Sequence, residues 1–378
     1  MANSTDAIKR ADSHSTSISQ AIEELDQALV IDESAFTLFF CGNQYCEQNF
    51  ADEMRVRSTK SLVVGCSSAG EIGSRGYTSK SITAMSFAAN EFKVAANLIK
   101  NVKDFTSDQA RQIASTLREE LGAQGVEDFH SCFALLLVDG MSISEEPLAY
   151  RMQHALGSIP LVGGSAGDEL IFERTQIFYK DSFYSDAAVI VLVYTERPWE
   201  AFKEQHFRPG QTKVVVTDAD PENRIVRELN GELAAVEYAR LLGLSGPEAL
   251  TEEHFARNPL MLMLADAWYI RSPQKANPDG SLSMFCAIDV GLVLALGVGV
   301  NMVDELSAKL ADIKTRIGTI SITIACDCIQ RRMELENTGM LESASKVLVE
   351  NNAVGFNTYG EQFGALHINQ TLTGVAIG

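Results

Sequence analysis

The chain has 378 residues, 46% hydrophobic and 21% charged, with a formal net charge of −19. That length is enough for a large core split into two or more domains, and the acid excess, with no offsetting run of Lys or Arg, argues against a nucleic-acid surface. No apolar run reaches the roughly 20 residues of a membrane helix, and "MANSTDAIKRADSHSTSISQ" has no apolar stretch after a basic start, so a cytoplasmic protein without membrane insertion is expected.

Residues 1–34 predict a helical, polar lead-in that carries a solvated His14. Three stretches then follow one plan. A strand ("FTLFFCG", "FALLLVDG", "SITIACD") ends on Cys41, Asp139 or Asp327, and the 23, 23 and 27 positions from there to the motif Val accommodate one helix. Leu148, Met152 and Leu156 recur at helical spacing behind Ser142 or Ser144, and Leu341, Ala344, Val347 and Leu348 form a stripe in a single helix over "RRMELENTGMLESASKVLVENN". Each helix leads to a variant of one motif: "VGCSSAGE" (Val64 to Glu71), "VGGSAGDE" (Val162 to Glu169) and "VGFNTYGE" (Val354 to Glu361). A return strand follows each: "SITAMSFA", "DAAVIVLVY" and the terminal "HINQTLTGVAIG".

The first two motifs lie one period apart and the third two periods further on, so a fourth, eroded unit is expected near residue 258, in "ARNPLMLMLADAWYIRSP". The fold class read from this is mixed α/β: tandem strand–helix–strand units in two related domains, residues 35–222 and 223–378, joined near "VTDADPENR".

The candidate ligand-binding residues are Gly65, Cys66, Ser67, Gly70, Gly163, Gly164, Ser165, Gly167, Asp168, Tyr359, Gly360 and Glu361, because small residues at a strand end expose backbone N–H groups to a ligand. The same glycines serve equally well as tight turns that pack one repeat on the next, with no ligand. No dinucleotide or P-loop pattern is present. Cys66 or Ser67 invites a nucleophile reading that needs a base, and none is visible locally; His154 in the helix before the second motif could reach over, but a helical His beside apolar neighbours is more often a half-buried packing residue. Seven scattered cysteines predict reduced, buried thiols, and Cys326 and Cys328 lack the further ligands of a zinc site. His130 and His254 sit in acidic loops and are expected to be solvated.

"LVVGCSSAGEI", "PLVGGSAGDE", "HFRPGQTKVVVTDAD", "YIRSPQKANPDGSLSMFCAIDVGLVLAL", "ACDCIQRR" and "TYGEQFGALHINQTLTGVAIG", taken in order, resemble the FIST family from about Phe36 to Gly378. The resemblance implies a FIST N-terminal and a FIST C-terminal domain and a non-enzymatic, sensory role in signal transduction. With "RSPQKANPDGSLSMFCAI" the chain is similar to the NosP group, which implies a b-type haem, nitric oxide as the signal, and a separate histidine kinase, diguanylate cyclase or phosphodiesterase as partner. His206, His367 and His154 are then the candidate iron ligands, His206 or His367 ahead of His154. The alternatives are a haem-free FIST module for an amino acid or similar metabolite, and, more remotely, a Cys66-dependent hydrolase.

Overall fold

The computed structural model describes residues 7–264 and 266–378. The fold is mixed α/β, built of tandem strand–helix–strand units. The chain divides into two compact units, one comprising Met1–Glu204, Ser307–His367 and Leu372–Gly378, the other Gln205–Leu306 and Ile368–Thr371.

The larger unit holds the three repeats. The first runs β1 (Ile8–Ser13), α1 (Ile18–Leu29), β2 (Ser34–Cys41), α2 (Gln48–Arg57), β3 (Leu62–Ser67), a hairpin of β4 (Glu71–Gly73) and β5 (Gly76–Thr78), then β6 (Ile82–Ala88). The second repeats this order as β7 (Phe92–Lys100), α3 (Ser107–Ala123), β8 (Cys132–Val138), α4 (Glu145–Leu156), β9 (Leu161–Ser165), the hairpin β10 (Ile177–Tyr179) with β11 (Ser182–Tyr184), and β12 (Ala187–Thr195). The third opens on β13 (Trp199–Glu204), after which the chain leaves for the smaller unit.

That smaller unit is an antiparallel sheet of β14 (Phe207–Asp220), β15 (Ile225–Leu229), β16 (Glu232–Leu233), β17 (Leu260–Leu264), β18 (Ala267–Arg271), β19 (Pro273–Ala276), β20 (Leu282–Met284) and β21 (Val293–Gly299), with helices α5 (Ala234–Leu241) and α6 (Glu252–Arg257). Tyr238 and Phe255 from the helices pack with Val214, Val226, Leu260 and Leu294 from the strands. The third repeat resumes in α7 (Met302–Ile317) and continues through β22 (Ile322–Cys328), α8 (Ile329–Asn337), α9 (Leu341–Glu350), β23 (Ala353–Thr358), the hairpin β24 (Glu361–Phe363) with β25 (Leu366–Ile368), and β26 (Leu372–Ile377).

The expected fourth repeat is therefore corrected. "LMLML" is β17, which pairs antiparallel with β18 and β21 and, among the described residues, has no parallel neighbour of the β2–β3 kind. Its stretch lacks the Val-Gly pair that lets two parallel strands close together. The doubled period between the second and third motifs comes from an insertion inside the third repeat, not from an eroded unit. "VTDADPENR", read as a join, is the β14–β15 hairpin. The single helix expected over Arg331 to Asn352 is two, because Gly339 turns left-handed (φ 69°) between α8 and α9. The lead-in is also more than helix, since β1 pairs antiparallel with β6 before α1 begins.

Elsewhere local chemistry agrees with the pattern. Thr106 and Gln109 form a reciprocal capping box at the start of α3, whose Ala110, Ala114, Leu117 and Leu121 face the core. Ser144 occupies the cap position of α4 without a side-chain capping bond, its hydroxyl donating to Ser142 O (3.1 Å), and Leu148, Met152 and Leu156 are buried.

All three sheets of the larger unit share one order: β1-β6-β2-β3, β7-β12-β8-β9 and β13-β26-β22-β23, with β2–β3, β8–β9 and β22–β23 parallel. Each is completed by a hairpin from another repeat. Hairpin β10–β11 of the second repeat joins β3 of the first, β24–β25 of the third joins β9 of the second, and β4–β5 of the first joins β23 of the third. The exchange is cyclic.

The return strand β26 lies between β13 and β22, bonded to both, and Leu372, Val375 and Ile377 are wholly buried. Each such side chain contributes about 1.5–3 kcal/mol by burial, and a domain's net stability is only about 5–15 kcal/mol. Removing residues 372–378 is expected to abolish cooperative unfolding; a truncated protein with a sharp urea transition would contradict this placement.

Candidate functional site

The aligned motif glycines Gly65, Gly163 and Gly355 lie where parallel strands approach most closely. A methyl group there would sit 2.6, 1.9 and 1.9 Å from the carbonyl oxygens of Phe39, Leu136 and Ala325. Past them the strand ends converge. Ala69 N donates to Asn357 O (3.0 Å), Tyr359 N to Ser165 O (3.1 Å) and Gly167 N to Ser67 O (3.2 Å), a closed cycle in which each motif bonds one other. A second set runs alongside it: Asn357 N to Gly70 O (2.7 Å), Ser165 N to Gly360 O (2.8 Å) and Ser67 N to Gln176 O (2.9 Å). Gly70 and Gly360 carry matching positive φ values of 148° and 145°, which only glycine adopts easily.

The twelve motif residues are thus brought together, mostly as a buried junction. Ser67, Ser165, Asp168 and Glu361 are all at 0% exposure, and Ser67 Oγ and Ser165 Oγ are taken by Gln176 N (2.9 Å) and Gln362 Nε2 (2.9 Å). Gly164 receives the side chains of Phe356 and Thr358.

The second motif departs from its letters. Strand pairing sets Ile177, not Glu169, opposite Cys66, at the place that Glu71 and Glu361 hold in the other two sheets. The intervening residues form an excursion with left-handed Glu169, Leu170 and Phe172. The Asp168 carboxylate holds it by accepting from Phe172 N (2.9 Å), Glu173 N (2.7 Å) and Arg174 N (2.9 Å), and Tyr359 Oη donates to the same group. Phe172 stacks on the Tyr359 ring with centroids 4.9 Å apart.

A buried charge cluster, missed in the sequence, locks the exchanged β4–β5 hairpin. Arg331 Nε donates to Asp327 Oδ1 (2.7 Å) and its Nη2 to Glu204 Oε2 (2.6 Å), while Tyr77 Oη donates to Asp327 Oδ2 (2.6 Å). Arg332 adds bonds to Thr78 O (2.7 Å) and Ser79 Oγ (2.7 Å). The four-residue interval from Asp327 to Arg331 across a strand–helix junction was the available signal.

The histidines are dispersed. His367 is buried, with Nδ1 3.2 Å from the Gln362 amide that also reaches Ser165. His206 is wholly buried in the smaller unit against Phe207, and His154 is exposed on α4 beside Tyr150. Of the three candidate iron ligands, two are therefore buried side chains and one is a surface side chain. Cys66 is buried and its thiol is pushed well above the ordinary range by burial, the opposite of an activated nucleophile. Cys326 and Cys328 are buried as well, and among the described residues no cluster of three or more His, Cys, Asp or Glu could hold a metal ion. His14 lies 3.3 Å from Asp12.

An open groove of about 500 Å³ lies on the larger unit, and its lining includes Leu62, Phe92, Lys60, Lys93, Lys180 and Glu120. Lys180 stands over the Tyr179 ring and Lys93 over Tyr194, 5.1 and 5.8 Å from the centroids. Tyr179 Oη donates to Ala96 O (3.0 Å), which fixes one wall. Sequence reasoning passed over these lysines, since single Lys residues at strand ends form no motif.

Comparison with known proteins places this architecture. The FIST N domain model matches residues 35–232 and the FIST C domain model residues 234–364. The chain belongs to the FIST family. FIST domains are sensory modules that bind small ligands in signalling proteins. No curated protein matches the FIST chain. Among solved structures, a cyanuic acid hydrolase from A. caulinodans shares 11% identity with it over 98% of both chains, at a TM-score of 0.40. The boundary between the two FIST models falls inside the smaller compact unit. No helix is long and apolar enough to cross a membrane among the described residues.

One motif acid is poised to titrate. Glu71 is buried, and burial pushes its carboxyl up to about 7 despite bonds from Ser68 Oγ (2.5 Å), Ser81 Oγ (2.6 Å) and Ser81 N (3.0 Å), with Glu169 raising it further. A raised folded-state value means that this group's stabilisation is full below about pH 4.5 and is lost as pH rises through about 7. Glu71→Gln keeps an acceptor for Ser81 and a donor for Ser68, so it is expected to stabilise the fold by roughly 3 kcal/mol at pH 8.5 and by little at pH 5. Urea midpoints at the two pH values check this; an equal effect at both would refute it.

Proposed function

We propose that this FIST protein is a sensory module that takes a small anionic metabolite, an amino acid or similar carboxylate, in the lysine groove, and passes its signal to a separate histidine kinase, diguanylate cyclase or phosphodiesterase. The observation that carries the reading is the gathering of Lys60, Lys93 and Lys180 on one concave surface of a chain whose net charge is −19. Three lysines lining a mostly polar groove suit a small carboxylate. Glu120 at the same groove suits the α-ammonium of a zwitterion.

A charge-assisted hydrogen bond contributes about 1.5–3 kcal/mol when sheltered and less at an open groove, so each lysine is worth roughly tenfold in affinity. Calorimetric titration with amino acids and their des-amino analogues tests the reading. Lys93→Ala with Lys180→Ala should weaken binding by well over tenfold, and Glu120→Gln should weaken amino acids more than the analogues. Saturable binding that ignores all three substitutions, or no binding by any compound, would overturn it.

A haem-based nitric oxide sensor is the competing reading, supported by the "RSPQKANPDGSLSMFCAI" segment. It requires His206 or His367 to leave the core, or His154 to bind at the surface. Adding haemin separates the two: a saturable one-to-one Soret band that disappears on replacing one of these histidines would displace the groove proposal.

A further inference from the structure

Cys41 and Cys46 stand apart from the other cysteines because their sulfurs face each other. Their Sγ atoms are 3.8 Å apart, with Cys41 buried at the end of β2 and Cys46 partly exposed at the end of the short 3-10 turn Asn43–Tyr45. The turn is anchored: Tyr45 is wholly buried and its Oη donates to Ser15 O (2.5 Å), while Gly42 N donates to Ser81 O (3.0 Å). The two thiols are therefore held as neighbours across five peptide units of chain. A disulfide needs its sulfurs at about 2.05 Å, so closure asks for under ~2 Å of movement in a short turn.

We propose that Cys41 and Cys46 form a modification site, a dithiol that hydroperoxides oxidise to an intramolecular disulfide. The accessible Cys46 reacts first. Its thiolate attacks one oxygen of hydrogen peroxide, the S–O bond forms as the O–O bond breaks, and hydroxide leaves to be protonated to water. The Cys41 sulfur then attacks the Cys46 sulfenic sulfur, the S–S bond forms, the S–O bond breaks, and the second water departs with the Cys41 proton. Two thiols lose two electrons and one peroxide gains them.

The site bears directly on the motif junction. Cys41 O accepts from Ser68 N (2.9 Å), and Ser68 and Ser81 are the residues that hold the Glu71 carboxylate. Drawing Cys46 onto Cys41 shifts the turn whose Gly42 is bonded to Ser81, so oxidation reaches Glu71 through two hydrogen bonds. Burial of Cys41, which pushes its thiol well up, keeps it from competing with Cys46 for the peroxide.

The test uses the reduced full-length chain, treated with hydrogen peroxide, alkylated at its remaining thiols and mapped by peptide mass spectrometry. The expected product is a Cys41–Cys46 crosslink, reversed by dithiothreitol, with Cys66, Cys132, Cys286, Cys326 and Cys328 alkylated. Cys46→Ser should abolish the crosslink and leave Cys41 a thiol, and Cys41→Ala should leave a Cys46 sulfenic acid that dimedone traps. Should Cys41→Ala fail to fold, the wild-type map and Cys46→Ser decide alone. Oxidation of Cys46 to sulfinic acid with Cys41 still alkylated, a crosslink to any other cysteine, or two unreacted thiols would each overturn the proposal.

Discussion

The larger unit depends on the cycle of backbone hydrogen bonds among its three motifs. Each strand end that carries a motif terminates with polar groups that its own repeat leaves unpaired: Ser67 O, Ser165 O and Asn357 O are met by Gly167 N, Tyr359 N and Ala69 N from other repeats. Buried backbone groups must find partners or cost about 1–3 kcal/mol each, so no repeat can be removed without orphaning groups in the other two. The glycines follow from this. Side chains at Gly65, Gly163 or Gly355 would hold the parallel strands apart and open the cycle.

Much of this was legible in the sequence as a pattern and little of it as a geometry. The Val-Gly motif, the strands before it and the return strands after it marked three repeats correctly, because apolar runs and Gly punctuation record local structure directly. The hairpin exchange left no mark: β4, β5, β10, β24 and their partners are three-residue strands, too short to carry a period. The motif letters also misled at Glu169, which matches Glu71 and Glu361 in sequence while Ile177 takes their place in the sheet. A matching letter records order along the chain, and an excursion between two matching positions is invisible to it.

The candidate site shows the same division. The turn-and-packing reading of the motif glycines describes Gly65, Gly163 and Gly164 well, since each meets neighbouring protein atoms at contact distance. Ser67, Ser165 and Asp168 spend their polar atoms on backbone and side chains of the junction. The lysine groove, by contrast, is assembled from Lys60, Lys93 and Lys180, which belong to a loop, an edge strand and a hairpin turn. Their convergence arises from tertiary packing, and no spacing in one sequence encodes it.

The cyclic exchange of hairpins has a consequence for biosynthesis. The first sheet lacks β10 until the second repeat has been made, the second lacks β24 until the third is made, and β23, which receives β4, is among the last strands to appear. The unpaired edge of β3 must wait on the ribosome while about 110 further residues emerge, and that of β9 while about 200 emerge, at about 5–20 residues per second. The insertion between β13 and α7 lengthens that interval. A nascent chain of this architecture presents open strand edges for tens of seconds, which makes it a natural client for chaperones and an aggregation hazard when translation stalls late.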